Sequence, residues 1–251
     1  MRLKDKRVIV TGGTTGIGAA ICSRFLEEGA RVVVWGQNPG NTARIARELP
    51  RLSGVATVDV AETSGVDDAF KQSLESLGGL DVLICNAGIS IRRNFVDMSP
   101  DEFDRVLRVN LHGVFYPSQL AARCMLAQET GGAILMTAST SGIMAYRYYA
   151  DYNASKAAVL ALMRTMAVEL APKVRVNAVN PGYTLTPMQE AEYSPEMLAR
   201  VNSIIPMQRH AKPDEIAALY VYLASDEAAY ASGAVFTLDG AESIATGAAY
   251  L

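Results

Sequence analysis

The sequence predicts one α/β domain over residues 1–251, built on a doubly wound parallel sheet of about seven strands with helices on both faces. Two observations carry this. Short β-rich runs alternate with apolar runs of helical period along the whole chain, the pattern that right-handed crossovers produce. Glycines or polar residues also follow several of the β-rich runs directly, and in such sheets ligands bind outside the carboxyl ends of the strands. At 251 residues the chain can bury a sizeable core, and it contains no internal repeat, low-complexity tract or linker.

Taken in order, Arg7 to Thr11 reads as a short buried strand. The loop Thr11-Gly12-Gly13-Thr14-Thr15-Gly16-Ile17-Gly18 follows and opens the helical run Ala19 to Glu28. Gly12 allows a tight turn, Gly16 lets backbone approach a phosphate, and Gly18 lets the helix lie close on the strand with its N-terminus facing a pyrophosphate. Ala30 to Trp35 is the second strand, and Gly36-Gln37-Asn38-Pro39-Gly40 is the turn after it. A carboxylate about 20 residues beyond the glycine loop would take the adenosine ribose. No acid lies between Arg31 and Arg47.

Val55 to Val58 is a third strand ending at Asp59-Val60, and Val66 to Leu77 is helical. Asp81 to Cys85 is a fourth strand that ends in Asn86-Ala87-Gly88. Ser99-Pro100 starts a helix, Ser as N-cap and Pro at the first helical position, whose pattern runs to about Gln128. Ala133 to Ala138 delivers Ser139 at its carboxyl end, and Val174 to Val179 delivers Asn180-Pro181-Gly182. Pro213-Asp214-Glu215 opens another helix, and Val235 to Leu238 is the last strand. Gly12, Asn86, Ser139 and Pro181 all stand at strand ends, so four segments converge on one crevice.

Tyr152-Asn153-Ala154-Ser155-Lys156 sets a phenol and an ammonium four residues apart, on one face at the start of a helix that runs without Pro or Gly to Leu170. A phenol of ordinary pKa, about 10, is a poor acid or base at neutral pH, and a nearby cation favours its phenolate. This is how a Tyr becomes a proton-transfer group.

Composition narrows the function classes. Half the residues are hydrophobic and 20% are charged, with a net charge of −3, so no basic surplus points to nucleic acid. No apolar run reaches membrane-spanning length, and the charged Met1 to Arg7 leaves no room for a signal-peptide core. Cys22, Cys85 and Cys124 are scattered within apolar segments, which suits a reducing cytoplasm. His112 and His210 lack nearby ligand partners, so no metal site is expected.

The ordered set of the glycine loop, Asp59, Asn86-Ala87-Gly88, Asn110, Ser139, Tyr152-x-x-x-Lys156 and Pro181-Gly182 resembles the classical short-chain dehydrogenase/reductase family from Lys6 to about Gly240. The resemblance implies a Rossmann-type sheet and NAD(P)-dependent hydride transfer at a carbonyl or secondary alcohol. It implies catalytic roles for Asn110, Ser139, Tyr152 and Lys156: Tyr152 as proton donor or acceptor, Ser139 holding the substrate oxygen, Lys156 lowering the Tyr152 pKa and binding the nicotinamide ribose, and Asn110 holding a water beside Lys156. Cofactor contacts would come from Gly12, Thr14, Thr15, Gly16, Ile17 and Gly18, from Gly36 and Gln37, and from Asp59 and Val60 at the adenine. Asn86, Ala87 and Gly88, Tyr152 and Lys156, Pro181 and Gly182, and Thr184 and Thr186 at the carboxamide would supply the rest. A homotetramer built on the helices around Ser99 to Gln128 and Tyr152 to Leu170 is the implied assembly.

Other residues bear on cofactor and substrate. Gly36 offers no carboxylate to repel a 2′-phosphate, and Thr14, Thr15, Gln37 and Asn38 can donate hydrogen bonds, so both NAD and NADP are expected, with NADP weakly favoured. Tyr146-Arg147-Tyr148-Tyr149 could line a substrate pocket, and Arg92 and Arg93 resemble residues of sugar-acid dehydrogenases, with Arg92 expected to bind an anionic or polyhydroxylated group. Pro187 to Met207 is expected to form a lid, with Met188, Met197 and Met207 as apolar contacts. Candidate substrates are a polyol, a sugar acid or a 3-oxoacyl compound. A catalytically silent dinucleotide sensor is the alternative of a different class.

Overall fold

The computed structural model describes residues 1–245, so the last six positions of the expected 1–251 domain lie outside the described residues. Seven strands are present among the described residues, β1 (Arg7–Thr11), β2 (Arg31–Gly36), β3 (Gly54–Thr57), β4 (Val82–Cys85), β5 (Gly132–Thr137), β6 (Val174–Pro181) and β7 (Val235–Leu238). They form one sheet in the order β3-β2-β1-β4-β5-β6-β7. All six pairings are parallel. The chain winds outward from β1 to β3 and returns to β4 on the other side of β1, so Thr11 pairs with Trp35 on one side and Cys85 on the other. That reversal of strand order opens the crevice.

The helices are α1 (Gly16–Glu27), α2 (Pro39–Glu48), α3 (Thr63–Leu77), α4 (Pro100–Leu107), α5 (Gly113–Ala127), α6 (Ala150–Leu170), α7 (Pro187–Glu192), α8 (Pro195–Ile204) and α9 (Pro213–Ala224). Alternate strand residues feed two separate cores, as a sheet covered on both faces requires. On one face Val8, Val10, Val32, Val34 and Ile84 pack with Ile21 and Phe25 of α1 and Tyr220 and Val221 of α9. On the other, Ile9, Val33, Trp35, Leu83 and Met136 pack with Phe70 of α3, Met125 of α5 and Leu160 and Met163 of α6. Each fully buried Ile, Leu or Phe contributes roughly 1.5–3 kcal/mol, enough to hold the strand ends in fixed register. Cys22 and Cys85 are buried in these cores, and burial pushes the Cys85 thiol up to about 12, so neither is a reactive thiol.

The architecture is the expected one, and two local features differ from the sequence reading. The expected turn Gly36 to Gly40 runs directly into α2, because Pro39 occupies the first helical position and the Asn38 carboxamide caps it by accepting from Asn41 N at 3.0 Å. The long helical run after Ser99 is also broken. It starts with the expected cap, a reciprocal box between Ser99 and Glu102, but between α4 and α5 it widens into a π-helical turn over Arg108–His112. Pro117 of α5 lies just beyond, where it cannot donate to the preceding turn. The widened turn carries Asn110, which is fully buried.

Candidate active site

A cleft of about 320 Å³ lies at the carboxyl ends of the strands, and all but two of the expected site residues line it. The glycine loop contributes Gly12, Thr14, Thr15, Gly16 and Ile17, and β2 ends there with Gly36 and Gln37. Asp59 and Val60, Asn86, Ala87 and Gly88, and Ser139, Tyr152 and Lys156 follow, then Pro181, Gly182, Thr184 and Thr186. Gly18 and Asn110 stand behind the wall. A side chain on Gly18 would overlap the Gly12 carbonyl and come within 2.6 Å of Asn86 Nδ2, so its role is to let α1 close on the loop.

Side-chain hydrogen bonds pin the strand ends to one another. Thr11 Oγ1 accepts from Asn86 N and Ala87 N at 3.0 and 3.1 Å, and Asn86 Nδ2 donates to Gly12 O at 3.1 Å. The Thr137 hydroxyl donates to Asn86 Oδ1 at 3.1 Å and shares a 2.6 Å bond with the buried Tyr220 hydroxyl. Gly12 has φ +62°, and a Cβ there would lie 2.7 Å from Ala87 Cα, so β1 and β4 meet backbone to backbone. Tyr220 and Thr137 were not singled out from the sequence, because a hydroxyl inside an apolar run gives no sign of where it points.

The reactive groups cluster at the start of α6. Lys156 Nζ donates to the Thr137 carbonyl at 2.8 Å and lies 5.4 Å from the centre of the Tyr152 ring. Asn110 Nδ2 donates to Ile89 O at 2.9 Å and Ser155 Oγ at 3.0 Å, while its Oδ1 accepts from Ile89 N at 2.8 Å. Ser155 in turn donates to Tyr152 O at 2.8 Å, so the π-helical turn grips the first turn of α6. Burial pushes the Tyr152 phenol up to about 12, opposed by the Ser139 hydroxyl and reinforced by the Glu192 charge. Burial also lowers the Lys156 ammonium to about 8. The Tyr152 pKa therefore lies above its ordinary value, not below it as expected, with desolvation of the phenolate the largest cause.

The cleft fits a dinucleotide. The first N–H groups of α1 have no partner within the helix, and the N-cap Thr15 supplies no side-chain bond, so they are free to meet a pyrophosphate. At the adenosine end, Gln37 Nε2 donates to Asp59 Oδ2 at 2.6 Å, while the Asn38 cap on α2 uses only Oδ1, an acceptor, and leaves its amide donor as expected. Arg44 of α2 donates to Thr14 O at 2.8 Å and pairs with Glu48 at 3.0 Å. The sequence reading missed this cation because it took Asn38-Pro39 for a turn; as a helix start the same dipeptide brings Arg44 back over the loop.

The substrate side differs from expectation in three ways. Tyr146 and Tyr149 line the cleft, but Tyr148 turns away with φ +74° and carries Arg92 over its ring at 4.6 Å. Arg92 and Arg93 line a separate surface recess, with Arg93 paired to Glu102. Replacing Arg92 by Ala should therefore change kcat/KM for acidic and neutral substrates by less than about twofold; a rise in KM confined to acids would return Arg92 to the site. Of the three lid methionines only Met188 lines the cleft. The expected lid segment adds Gln189 and Glu192 of α7 and Tyr193 just after it, none of which the sequence singles out.

His210 is bonded through Nδ1 to Asn202 Oδ1 at 2.6 Å. Among the described residues no group of three or more His, Cys, Asp or Glu could hold a metal ion, and no helix is long and apolar enough to cross a membrane.

A family model described as enoyl-(acyl carrier protein) reductase matches residues 12–241. A glucose 1-dehydrogenase of Gluconobacter oxydans is 37% identical over 245 residues, 95% of this chain and 92% of that protein. An NADP-dependent (R)-specific alcohol dehydrogenase of Lentilactobacillus kefiri is also 37% identical, over 95% of this chain and 97% of its own length. Among solved structures, a short-chain type dehydrogenase/reductase from Mycobacterium marinum superposes with a TM-score of 0.91 at 37% identity, covering 96% of each chain.

Proposed function

The chain belongs to the classical short-chain dehydrogenase/reductase family, and from that premise we propose that it is an NAD(P)-dependent oxidoreductase interconverting a carbonyl and a secondary alcohol, with Tyr152 as general acid and base. The observation that carries the reading is the meeting of Tyr152, Ser139 and Lys156 in one cleft with the glycine loop. A bound nicotinamide supplies the hydride in reduction and takes it up in oxidation. In reduction the Tyr152 hydroxyl donates its proton to the carbonyl oxygen, and the Ser139 hydroxyl holds that oxygen. The high Tyr152 pKa keeps the phenol protonated at neutral pH, the form an acid needs.

Lys156 holds the nicotinamide ribose, and its charge stabilises the phenolate left after transfer. Asn110 positions the first turn of α6, with its carboxamide engaged at Ile89 and Ser155. The test is to mix the protein with reduced cofactor and a panel of ketones while following nicotinamide absorbance; cofactor binding with no turnover across the panel would favour a silent sensor. A 3-oxoacyl thioester is the second substrate class, favoured by the likeness to a 3-oxoacyl-(acyl-carrier-protein) reductase of Thermotoga maritima, 36% identical over 96% of this chain and 98% of that protein.

Both cofactors are accepted, with NADP(H) weakly preferred. Arg44 supports this as a cation bonded to the Thr14 carbonyl of the glycine loop, while Gly36 adds no repelling carboxylate. Arg44→Ala should lower the ratio of kcat/KM for NADPH to that for NADH about tenfold, on the scale of one charged hydrogen bond. An unchanged ratio would assign the adenosine ribose to other groups. Gly36→Asp is a less clean probe, since its Cβ would overlap the Thr14 methyl and move the loop.

A cytoplasmic homotetramer completes the reading. Exposed apolar side chains on α5 and α6, Phe115, Leu126 and Val168, support contact between copies through those helices.

A further inference from the structure

The lid helix α7 carries two polar groups into the cleft that hydride transfer does not use. Gln189 and Glu192 are three residues apart, so they share one helix face, and both line the cleft with Tyr152. Glu192 forms no ion pair among the described residues; its carboxylate accepts from the Ser90 hydroxyl and, at 2.8 Å, from the Tyr149 hydroxyl. Gln189 Nε2 is buried and has no acceptor. A buried donor without a partner is destabilising, and a ligand acceptor would recover that cost.

We infer that Gln189 and Glu192, with Ser90 and Tyr149, form a hydroxyl-recognition subsite, and that the substrate carries a hydroxyl on the carbon next to the one that reacts. The inference rests on the oxidoreductase reading and names its substrate class. A hydroxyl is a neutral group that can donate to Glu192 and accept from Gln189 through a single atom. A substrate carboxylate would meet Glu192 as a like charge, and a bare methylene would leave Gln189 Nε2 unpaired. The Glu192 charge is already felt at Tyr152, where it raises the phenol pKa, so the two groups face the same space.

The remaining walls suit a ring with polar edges and C–H faces. Tyr146 meets Tyr183 edge to face at 5.9 Å, and Tyr193 follows at 6.3 Å from Tyr183. Such rings offer apolar faces while their hydroxyls stay near polar partners. A bound substrate hydroxyl would share the Glu192 carboxylate with the Ser90 and Tyr149 hydroxyls and give Gln189 Nε2 the acceptor it lacks.

The test uses a matched set of cyclohexanol, cis- and trans-cyclohexane-1,2-diol and 2-hydroxycyclohexanecarboxylate, each with oxidised cofactor. The readouts are kcat/KM and calorimetric binding to the cofactor-saturated enzyme, with Glu192→Gln and Gln189→Ala as variants. For the wild type at least one diol should exceed cyclohexanol about tenfold in kcat/KM, and the carboxylate should fall below it. Both variants should lower kcat/KM for the favoured diol about tenfold more than for cyclohexanol, so that the ratio between them falls to about one. If all compounds lose equally in both variants, the two residues only hold the lid shut and the inference is wrong. Diol binding that depends on Glu192 without any turnover would support the subsite and overturn the oxidoreductase reading. Turnover of cyclohexanol with neither binding nor turnover of any diol would overturn the inference and leave the oxidoreductase reading standing.

Discussion

Tyr152→Phe should lower kcat by about 10² to 10⁴ while leaving the cofactor dissociation constant within about twofold of the parent. The substitution removes the proton donor and keeps the ring that lies 5.4 Å from Lys156 Nζ, so packing at the start of α6 is preserved. Lys156 remains bonded to the Thr137 carbonyl. The direction of reaction adds a second readout. Because the phenol is held protonated, reduction should be sustained through neutral pH in the parent, whereas alcohol oxidation, which needs the phenolate, should rise as pH rises. Single-turnover rates and cofactor titrations on both proteins check this. Retention of more than a few per cent of kcat by the Phe variant would mean that another group carries the proton.

Gly18→Ala should be the most damaging single methyl in the dinucleotide wall. The added carbon would run into the Gly12 carbonyl and lie 2.6 Å from Asn86 Nδ2, and the first of these is backbone that cannot rotate aside. Separating α1 from the loop costs about 1–3 kcal/mol by overpacking, and it moves the N–H groups that face the pyrophosphate. A Tm lower by roughly 5 °C and a cofactor affinity reduced about tenfold are expected. Gly65→Ala in α3 is the matched control. Its added carbon would make ordinary contact with Val58 Cγ2 at 3.5 Å, and replacing a helical Gly by Ala contributes up to about 1 kcal/mol, so its Tm should hold or rise. Equal effects from the two substitutions would show that the Gly18 contact is not what limits the loop.

The parts of the fold legible in the sequence were those written in local pattern. Strand and helix alternation and the strand-end glycines gave the sheet, the crevice and most of its lining. What stayed hidden depended on tertiary direction. Arg92 follows a cleft turn by only a few residues, yet it lines a separate recess, stacked over the Tyr148 ring. Arg44 is far from the loop in sequence, and α2 folds it back onto Thr14. The π-helical turn at Asn110 leaves the apolar periodicity almost unbroken, so the run from Ser99 read as continuous helix. Gln189 and Glu192 fall in a segment whose length marks a lid but whose polar residues look like any solvated face until the helix is docked.

Thr137 joins the two halves of the cleft by unlike means. Its carbonyl, part of the sheet, holds Lys156, whereas the turn at Asn86 depends on the Thr137 and Thr11 hydroxyls and its own carboxamide. A side-chain substitution deletes a hydroxyl or a carboxamide but leaves a main-chain oxygen where it was. Mutational drift along these strands would thus wear away the dinucleotide turn first, and the anchor of the proton-transfer lysine last.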